Sequence, residues 1–263
     1  MTARNRLLAA LDDGAPIFGG WVVGPTLIGP EEFAAAGYDY VGVDLQHGYL
    51  DDADAALMLR RLEHVPVATV VRLPAADAAP IGRVLDAGAD AVVIAMVESA
   101  DQAAAAVAAT RYPPAGVRSF GPLRASLGHD PADLEGRAGV FAMIETDRAV
   151  AALAEICAVP GLSGLYVGPA DLAISMGYPP ASAWRQREVR EVMARIVATA
   201  ETAGLVTGVH AGTGSLGREA AGMGFRIVTL ASESQALRRG ALAHLADANA
   251  TEARETAAGG GYQ

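Results

Sequence analysis

The sequence predicts one α/β domain folded as a (β/α)8 barrel, and two observations favour this fold class. Eight short apolar runs recur along the 263 residues, and helical patterns separate them. The runs are continuously hydrophobic rather than alternating, which is typical of parallel strands buried on both faces. A doubly wound open sheet is the main alternative, but no Gly-x-Gly-x-x-Gly turn follows the first strand.

The elements are expected in the alternating order that a barrel requires. Strands are predicted at about residues 16–22, 40–44, 66–71, 91–95, 140–144, 163–167, 205–210 and 226–230. Helices are predicted at about residues 29–36, 51–62, 77–86, 99–109, 147–157, 185–204, 214–223 and 232–244. The stretch at about 111–139 is too long for an ordinary connection, so it is expected to serve a site or an interface. We predict a barrel domain over residues 1–250 and a flexible tail over residues 251–263.

Composition and charge argue against nucleic-acid and membrane partners and against sites built from cysteine. A hydrophobic content of 52% is enough for a large core, and a net charge of -10 argues against nucleic acid, which needs a basic face. The single cysteine, Cys157, offers neither a disulfide framework nor a thiolate metal site. No uncharged apolar run reaches ~18 residues and the N-terminus has no secretory pattern. We therefore expect a cytoplasmic protein with no nucleic-acid or membrane partner.

Two acidic residues follow strand-like apolar runs and are the first candidates for a site. Glu145 ends the run 141–144, and Asp171 follows the run 165–168. Carboxylates at the ends of neighbouring parallel strands would give a hard divalent cation two oxygen ligands and leave its other positions to water and substrate. The structural alternative is that Asp171 caps its own helix while Glu145 begins the next one.

A histidine and an arginine are expected at the same end of the barrel. His47 lies in the loop after strand two, where an imidazole is a plausible general base; the alternative is a loop histidine that caps the helix near Asp51. Arg72 ends strand three, where its guanidinium suits a carboxylate or a developing oxyanion; the alternative is an internal salt bridge to Asp44 or Glu145. The other polar residues expected at strand ends are Trp21, Glu98 and His210.

Seven segments, in order, resemble the metal-dependent (class II) pyruvate aldolases that cleave 2-keto-3-deoxy sugar acids and 4-hydroxy-2-oxo dioic acids. The resemblance runs from about residue 5 to 237. Its motifs are Gly20-Trp21, Val43-Asp44-Leu45-Gln46-His47-Gly48, Val71-Arg72, Leu85-Asp86-Ala87-Gly88-Ala89, Tyr112-Pro113-Pro114-Ala115-Gly116-Val117-Arg118, Ile144-Glu145-Thr146 and Val167-Gly168-Pro169-Ala170-Asp171-Leu172.

This resemblance implies a barrel of the phosphoenolpyruvate/pyruvate-binding superfamily type and a lyase that acts through a metal-bound pyruvate enolate, releasing pyruvate and an aldehyde. It places Mg²⁺, Mn²⁺ or Co²⁺ on Glu145 and Asp171. Arg72 would stabilise the enolate oxygen, His47 would be the acid/base, and Asp86 would raise the basicity of that histidine. The residues expected to contact the substrate are Trp21, Arg72, Met143, Gly168, Ala170 and Asp171, with the backbone at Ala170 binding the pyruvyl carboxylate.

The position of Asp86 conflicts with that role inside one chain. It ends the helix before strand four, which is the opposite end of the barrel from the site. Either the predicted end of this helix is wrong, or Asp86 reaches His47 of a neighbouring subunit. The resemblance implies a homo-oligomer, a hexamer built as a trimer of dimers, which favours the second explanation. The resemblance thus implies a site shared between subunits.

Three residues depart from the family pattern. Met143 stands where glutamine is frequent, so substrate choice is expected to differ; Ser119 replaces a usual glycine and Gln46 a common glutamate.

A citramalyl- or malyl-CoA-type lyase would need basic residues for the CoA phosphates, which the net charge of -10 disfavours. A decarboxylase that uses the same enolate and a non-catalytic oxo-acid-binding barrel also compete with the aldolase interpretation.

Overall fold

The computed structural model describes residues 5–26 and 28–250. Eight parallel strands pair in chain order, and the last pairs with the first to close a barrel, so the predicted fold class is confirmed. The strands are β1 Ile17–Val22, β2 Tyr40–Asp44, β3 Ala68–Leu73, β4 Ala91–Ile94, β5 Gly139–Ile144, β6 Gly164–Val167, β7 Val206–His210 and β8 Ile227–Ser232. All eight lie where the sequence predicts them, within about two residues at each end.

Helices surround the barrel. They are α1 Arg6–Ala9, α2 Gly29–Ala35, α3 Asp52–Arg61, α4 Ala78–Asp86, α5 Ala100–Ala108, α6 Pro131–Gly136, α7 Asp147–Ala151, α8 Leu153–Cys157, α9 Pro169–Ser175, α10 Arg187–Thr202, α11 Gly214–Gly222 and α12 Glu233–Asn249. The helix predicted at 147–157 is divided at Ala152, which leaves the helical conformation with φ -91° and ψ 10°. The predicted tail at 251–263 lies outside the described residues.

Besides the short α1, two helices were not among the eight predicted. α6 lies within the irregular stretch at 111–139, where the Asp130 carboxylate accepts the N–H groups of Ala132 and Asp133 and a proline occupies the first turn. This is an ordinary helix start that the sequence displays. α9 begins at Pro169, directly after β6.

The strand side chains alternate between the barrel interior and the helix layer. Tyr40, Phe141 and Tyr166 pack together in the interior cluster, whereas Val41 and Val43 pack among the helices. Because side chains alternate with a period of two, every second residue of a strand faces the barrel interior. The same alternation brings the last inward-facing side chain of each strand to the carboxyl-end mouth of the barrel.

The amino end of the barrel is closed by a polar network. The Asn5 amide donates to the carbonyl of Asp90 at 2.6 Å, and the buried Asp90 carboxylate accepts from the backbone N–H and hydroxyl of Thr69 at 2.9 and 3.0 Å. Arg6 completes the network with an ion pair to Asp90 at 3.0 Å. These polar groups satisfy one another's hydrogen bonds, so none of them needs a ligand at this end. Across the described chain no helix has the length and apolar character to cross a bilayer.

Candidate active site

A cavity of about 640 Å³ opens at the carboxyl ends of the strands. In barrel enzymes this is the end where loops from all strands meet. The cavity brings together six of the residues predicted to bind substrate or metal, which are Trp21, Arg72, Met143, Gly168, Ala170 and Asp171. Asp44 and His210 also line it.

Arg72 is fixed by an ion pair across two neighbouring strands. Asp44 and Arg72 are register partners in β2 and β3, and the Arg72 Nε–H donates to the Asp44 carboxylate at 2.9 Å while Nη2 donates to its second oxygen. The guanidinium carbon lies 5.6 Å from the centre of the Trp21 ring, and the indole N–H donates to Asp44 at 3.1 Å. The internal salt bridge to Asp44, foreseen as an alternative, is therefore present. It leaves both N–H groups of Nη1 available to a ligand.

Asp44 carries its charge despite burial. Burial by itself would raise the pKa of this carboxyl, but Arg72, the main-chain N–H of His47 and the Trp21 indole together hold the pKa below its ordinary value. Gly42 makes the arrangement possible, since a Cβ at this position would overlap the Trp21 ring. The result is a rigid ion pair with one face toward the cavity.

Glu145 is buried, with 2% of its surface exposed, and is not among the described residues that line the cavity. Its Oε1 accepts the main-chain N–H of Met96 at 2.8 Å, and its Oε2 lies against Gly168, where any Cβ would collide with it. Burial raises the pKa of Glu145 to about 6; the Met96 N–H opposes this shift, the Asp171 charge adds to it and Arg72 opposes it. Gly168, which touches Glu145, and Asp171 both line the cavity, so the two carboxylates belong to the same region of the barrel mouth.

The two structural alternatives for these acids do not hold. The N-cap of α9 is Gly168, without a side-chain cap bond, so Asp171 lies in the first turn rather than at the cap. The N-cap of α7 is Thr146, whose hydroxyl accepts the N–H of Ala149. Neither Glu145 nor Asp171 is needed to cap a helix, so both are available as ligands.

The donor set fits a hard divalent cation with an incomplete protein shell. No three His, Cys, Asp or Glu side chains converge on a metal position within residues 5–26 and 28–250. Two carboxylates, one of them with a raised pKa that an ion would offset, suit a cation such as Mg²⁺ that keeps water or substrate oxygens in its remaining positions. Glu145 and Asp171 are the residues that could hold it.

His47 does not line the cavity, but its main chain contacts Asp44, which does. Its side chain is exposed, and its main-chain N–H donates to Asp44 at 3.1 Å. The alternative role as a helix cap is not observed, because Asp51 caps α3 through a capping box with Asp54. The histidine is therefore positioned by its backbone beside Asp44 with its imidazole open to solvent.

Asp86 is not brought to the cavity. It is the last residue of α4, as predicted, and so lies near the amino end of β4. Its Oδ1 accepts from the buried guanidinium of Arg118 at 2.7 Å. The helix boundary was right, so Asp86 does not reach His47 within one chain.

Met143 forms part of the apolar floor. It is 2% exposed, packs in the interior cluster with Phe141 and Tyr166, and lines the cavity. Its thioether offers no strong hydrogen bond to a ligand. Met143 therefore contributes an apolar surface where glutamine would offer a hydrogen bond, and a difference in substrate choice stays a prediction.

Sequence reasoning missed the role of two residues. Met96 presents its N–H to Glu145 from a left-handed backbone conformation, φ 54°, which a methionine in a sequence does not indicate. His210 was noted at a strand end but given no partner; its ring is edge-on to Trp21, with centroids 5.8 Å apart. The two-residue alternation of β7 could have indicated from the sequence that His210 faces inward.

A parallel barrel with its charged residues gathered at the carboxyl-end mouth defines the class: this chain is a (β/α)8-barrel enzyme. Residues 18–239 match the model of the HpcH/HpaI aldolase/citrate lyase family. The chain belongs to that family, which confirms the prediction of an aldolase-type lyase.

Individual relatives agree with this assignment. A hydroxypyruvate/pyruvate aldolase of Rhizorhabdus wittichii is 34% identical over 94% of this chain and 99% of its own. A 4-hydroxy-2-oxo-heptane-1,7-dioate aldolase of Salmonella dublin is 33% identical over 90% of this chain and 92% of its own. The crystal structure of an HpcH/HpaI aldolase/citrate lyase family protein from Burkholderia cenocepacia superposes with a TM-score of 0.86, at 30% identity, over 94% of this chain and 100% of that one.

Proposed function

We propose that the protein is a divalent-metal-dependent aldolase that cleaves or forms 4-hydroxy-2-oxo acids, with pyruvate and an aldehyde as the other reactants. One observation carries the proposal: a single cavity is lined by Asp171, by Gly168, against which the buried Glu145 carboxylate packs, and by the Arg72 guanidinium. Carboxylates suit a hard cation, and the guanidinium suits the oxygen that becomes negative when a proton leaves the carbon beside a carbonyl.

Arg72 binds and stabilises the keto oxygen of the oxo acid. Asp44 holds the guanidinium through two N–H groups, so its orientation is set before substrate arrives. The Nη1 donors face the developing oxyanion, and their interaction strengthens as its negative charge grows. Mg²⁺, Mn²⁺ or Co²⁺ held by Glu145 and Asp171 would supply Lewis-acid polarisation of the same 2-oxo acid.

The floor and the α9 turn position the pyruvyl end. Met143 excludes water beneath the substrate, and Gly168, which has no side chain, lets Glu145 and Met143 pack against it. Pro169 has no N–H, so the first main-chain donors of α9 belong to Ala170 and Asp171. We assign the Ala170 N–H to the pyruvyl carboxylate.

His47 moves the proton of the hydroxyl group during bond cleavage. Its imidazole is exposed, and its main chain contacts Asp44, which lines the cavity that the substrate would fill. Asp86 of a neighbouring copy would accept the one N–H of the neutral ring and leave the other nitrogen as the base. This requires a homo-oligomer, proposed as a hexamer built from three dimers. The protein is proposed to work in the cytoplasm.

Hydrogen exchange at the methyl group of pyruvate tests the proposal. Protein loaded with Mg²⁺, Mn²⁺ or Co²⁺ is incubated with pyruvate in deuterated water, and loss of the methyl proton signal is followed by NMR. We expect exchange that stops with chelator and in Glu145→Ala. Absence of exchange with all three ions would contradict an aldolase and favour the non-catalytic oxo-acid-binding barrel.

A further inference from the structure

His210 contributes an uncommitted imidazole to the cavity wall. It ends β7, lines the cavity, and meets the Trp21 ring edge-on at 5.8 Å. Within the part of the chain that the structure describes, no protein group hydrogen-bonds to its ring. A partly buried imidazole with no protein partner leaves its hydrogen-bonding capacity to a ligand.

The imidazole of His210 is neutral at physiological pH. Burial and, to a smaller extent, the Arg72 cation lower its pKa to about 4, and the Asp44 carboxylate opposes the shift. A neutral imidazole has one N–H donor and one lone pair, so it pairs with a hydroxyl group in either direction. It has no positive charge with which to attract a carboxylate.

The wall next to His210 is also polar and uncharged. Its side chains come from the end of β8 and the first turn of α12: Ser232, Ser234 and Gln235. Ser232 Oγ lies 3.1 Å from Ser234 Oγ, and Gln235 Oε1 accepts the Ser232 N–H at 2.9 Å, which leaves the Gln235 amide N–H₂ as a donor.

Cations are scarce on this side of the cavity. Among the described residues that line it, Arg72 is the one arginine, no lysine is present, and Asp44 already pairs with that arginine. Behind the wall, the Glu233 carboxylate accepts the N–H groups of Val23 and Gly24. An aldehyde with its own carboxylate would therefore meet negative charge without compensation on this side.

We propose that His210, with Ser232 and Gln235, forms the acceptor subsite and selects an uncharged aldehyde bearing a hydroxyl group. This inference rests on the proposed aldolase function and deepens it by naming the aldehyde class. His210 is a specificity-determining residue: it recognises the hydroxyl group of the acceptor, while the residues around Arg72 act on the pyruvyl half.

Two aldehydes of equal size provide the test. Glycolaldehyde and propionaldehyde differ by a hydroxyl group in place of a methyl group, and succinic semialdehyde tests the carboxylate. For each variant we would measure kcat/KM for addition of pyruvate to each aldehyde, and compare ratios within one variant so that the fraction of active protein cancels. The variants are His210→Leu, His210→Asn, which keeps an amide donor, and the matched control His64→Leu on the short helical turn after α3.

We expect the native protein to favour glycolaldehyde over propionaldehyde by about tenfold, the worth of one hydrogen bond. His210→Leu should bring the ratio close to one, His210→Asn should retain part of it, and His64→Leu should match the native ratio. An unchanged ratio in His210→Leu, or a native preference for succinic semialdehyde, would overturn the subsite. Pyruvate methyl exchange in the same native protein separates the two proposals. Exchange without a preference for the hydroxyl aldehyde would contradict the acceptor subsite and leave the aldolase function standing.

Discussion

The carboxyl group of Glu145 lies against Gly168, and burial raises its pKa from 4.5 to about 6. Between these values the folded protein binds more protons than the unfolded chain, so the stability of metal-free protein falls as pH rises from about 4.5 to 6. Above pH 6 the cost is complete, at about 2 kcal/mol. A divalent ion would offset this cost. The same carboxylate that would bind the ion therefore destabilises the metal-free protein.

Glu145→Gln should therefore stabilise the metal-free protein at pH 7. Glutamine keeps an oxygen for the Met96 N–H but carries no charge to bury. We expect a gain of about 1–2 kcal/mol, measured as a higher Tm in the presence of chelator, together with loss of metal binding. Glu98→Gln is the matched control, because Glu98 accepts the Thr146 hydroxyl at 2.9 Å and pairs with Arg148 at 3.3 Å, so glutamine removes an ion pair there. An equal or lower Tm for Glu145→Gln would contradict the burial cost.

His47→Ala separates proton transfer from metal binding. The His47 ring is exposed and away from the cavity lining, so its removal should leave the affinity for Mn²⁺ within about twofold while lowering kcat for aldol cleavage by about 10²–10⁴-fold. Metal affinity is measured by calorimetry and cleavage by pyruvate release. Loss of Mn²⁺ binding in this variant would make the histidine a metal ligand instead.

For single residues, the sequence predicted which side chains belong to the site better than it predicted the groups that they contact. Glu145, Asp171 and Arg72 could be proposed because an acid or guanidinium after an apolar run faces a strand end. The Met96 contact could not, since a positive φ at a methionine depends on the tertiary structure. The low pKa of His210 likewise comes from burial beside Arg72, which is distant in sequence.

At the scale of the elements, the register between β2 and β3 sets the position of the arginine. Asp44 and Arg72 are direct partners in the parallel ladder, and both face inward. A shift of one residue in either strand would turn one of the two side chains toward the helix layer. The alignment of the two strands is thus a condition for the ion pair.

Asp44→Asn tests that condition. The amide retains one acceptor but loses the charge, so Arg72 is held less firmly and two backbone N–H donors at residues 46 and 47 lose a charged partner. We expect kcat/KM for cleavage to fall about 10–100-fold with metal affinity little changed, as measured by steady-state kinetics and calorimetry. A fall in metal affinity of the same size as the fall in kcat/KM would place Asp44 in the metal site.

The strands were predicted more closely than the helices. Continuous apolar runs bounded by turns mark buried parallel strands, and all eight were found. The helix layer is less regular because short helices such as α6 depend on a capping aspartate and a proline rather than on periodicity. The division of the helix at 147–157 has no comparable sequence mark.

At the scale of the whole molecule, the two ends of the barrel have different tasks. The amino end is closed by the Asn5, Thr69 and Asp90 network, and the carboxyl end holds the cavity. Asp86, paired with Arg118, belongs to the helix layer near the closed end. A role in proton transfer at His47 therefore requires a second copy of the chain, which a monomer sequence indicates only through the resemblance to hexameric aldolases.

Mixed oligomers test whether the site is shared. His47→Ala and Asp86→Asn should each have low activity, and unfolding, mixing and refolding them together should recover part of it in subunit pairs that unite native residues from different chains. Asparagine keeps an acceptor for the buried Arg118, and circular dichroism checks the fold. Failure of mixtures to exceed the separate variants, while both assemble, would place Asp86 outside the catalytic site.

Mn²⁺ binding followed by electron paramagnetic resonance tests the central claim most directly, because that claim is that Glu145 and Asp171 hold one ion. We predict one strong site per chain in the native protein and in Glu98→Gln, and its loss in both Glu145→Gln and Asp171→Asn. Added pyruvate should change the spectrum of the bound ion, since open coordination positions are left for substrate. Full Mn²⁺ binding in either carboxylate variant, or a spectrum insensitive to pyruvate, would contradict it.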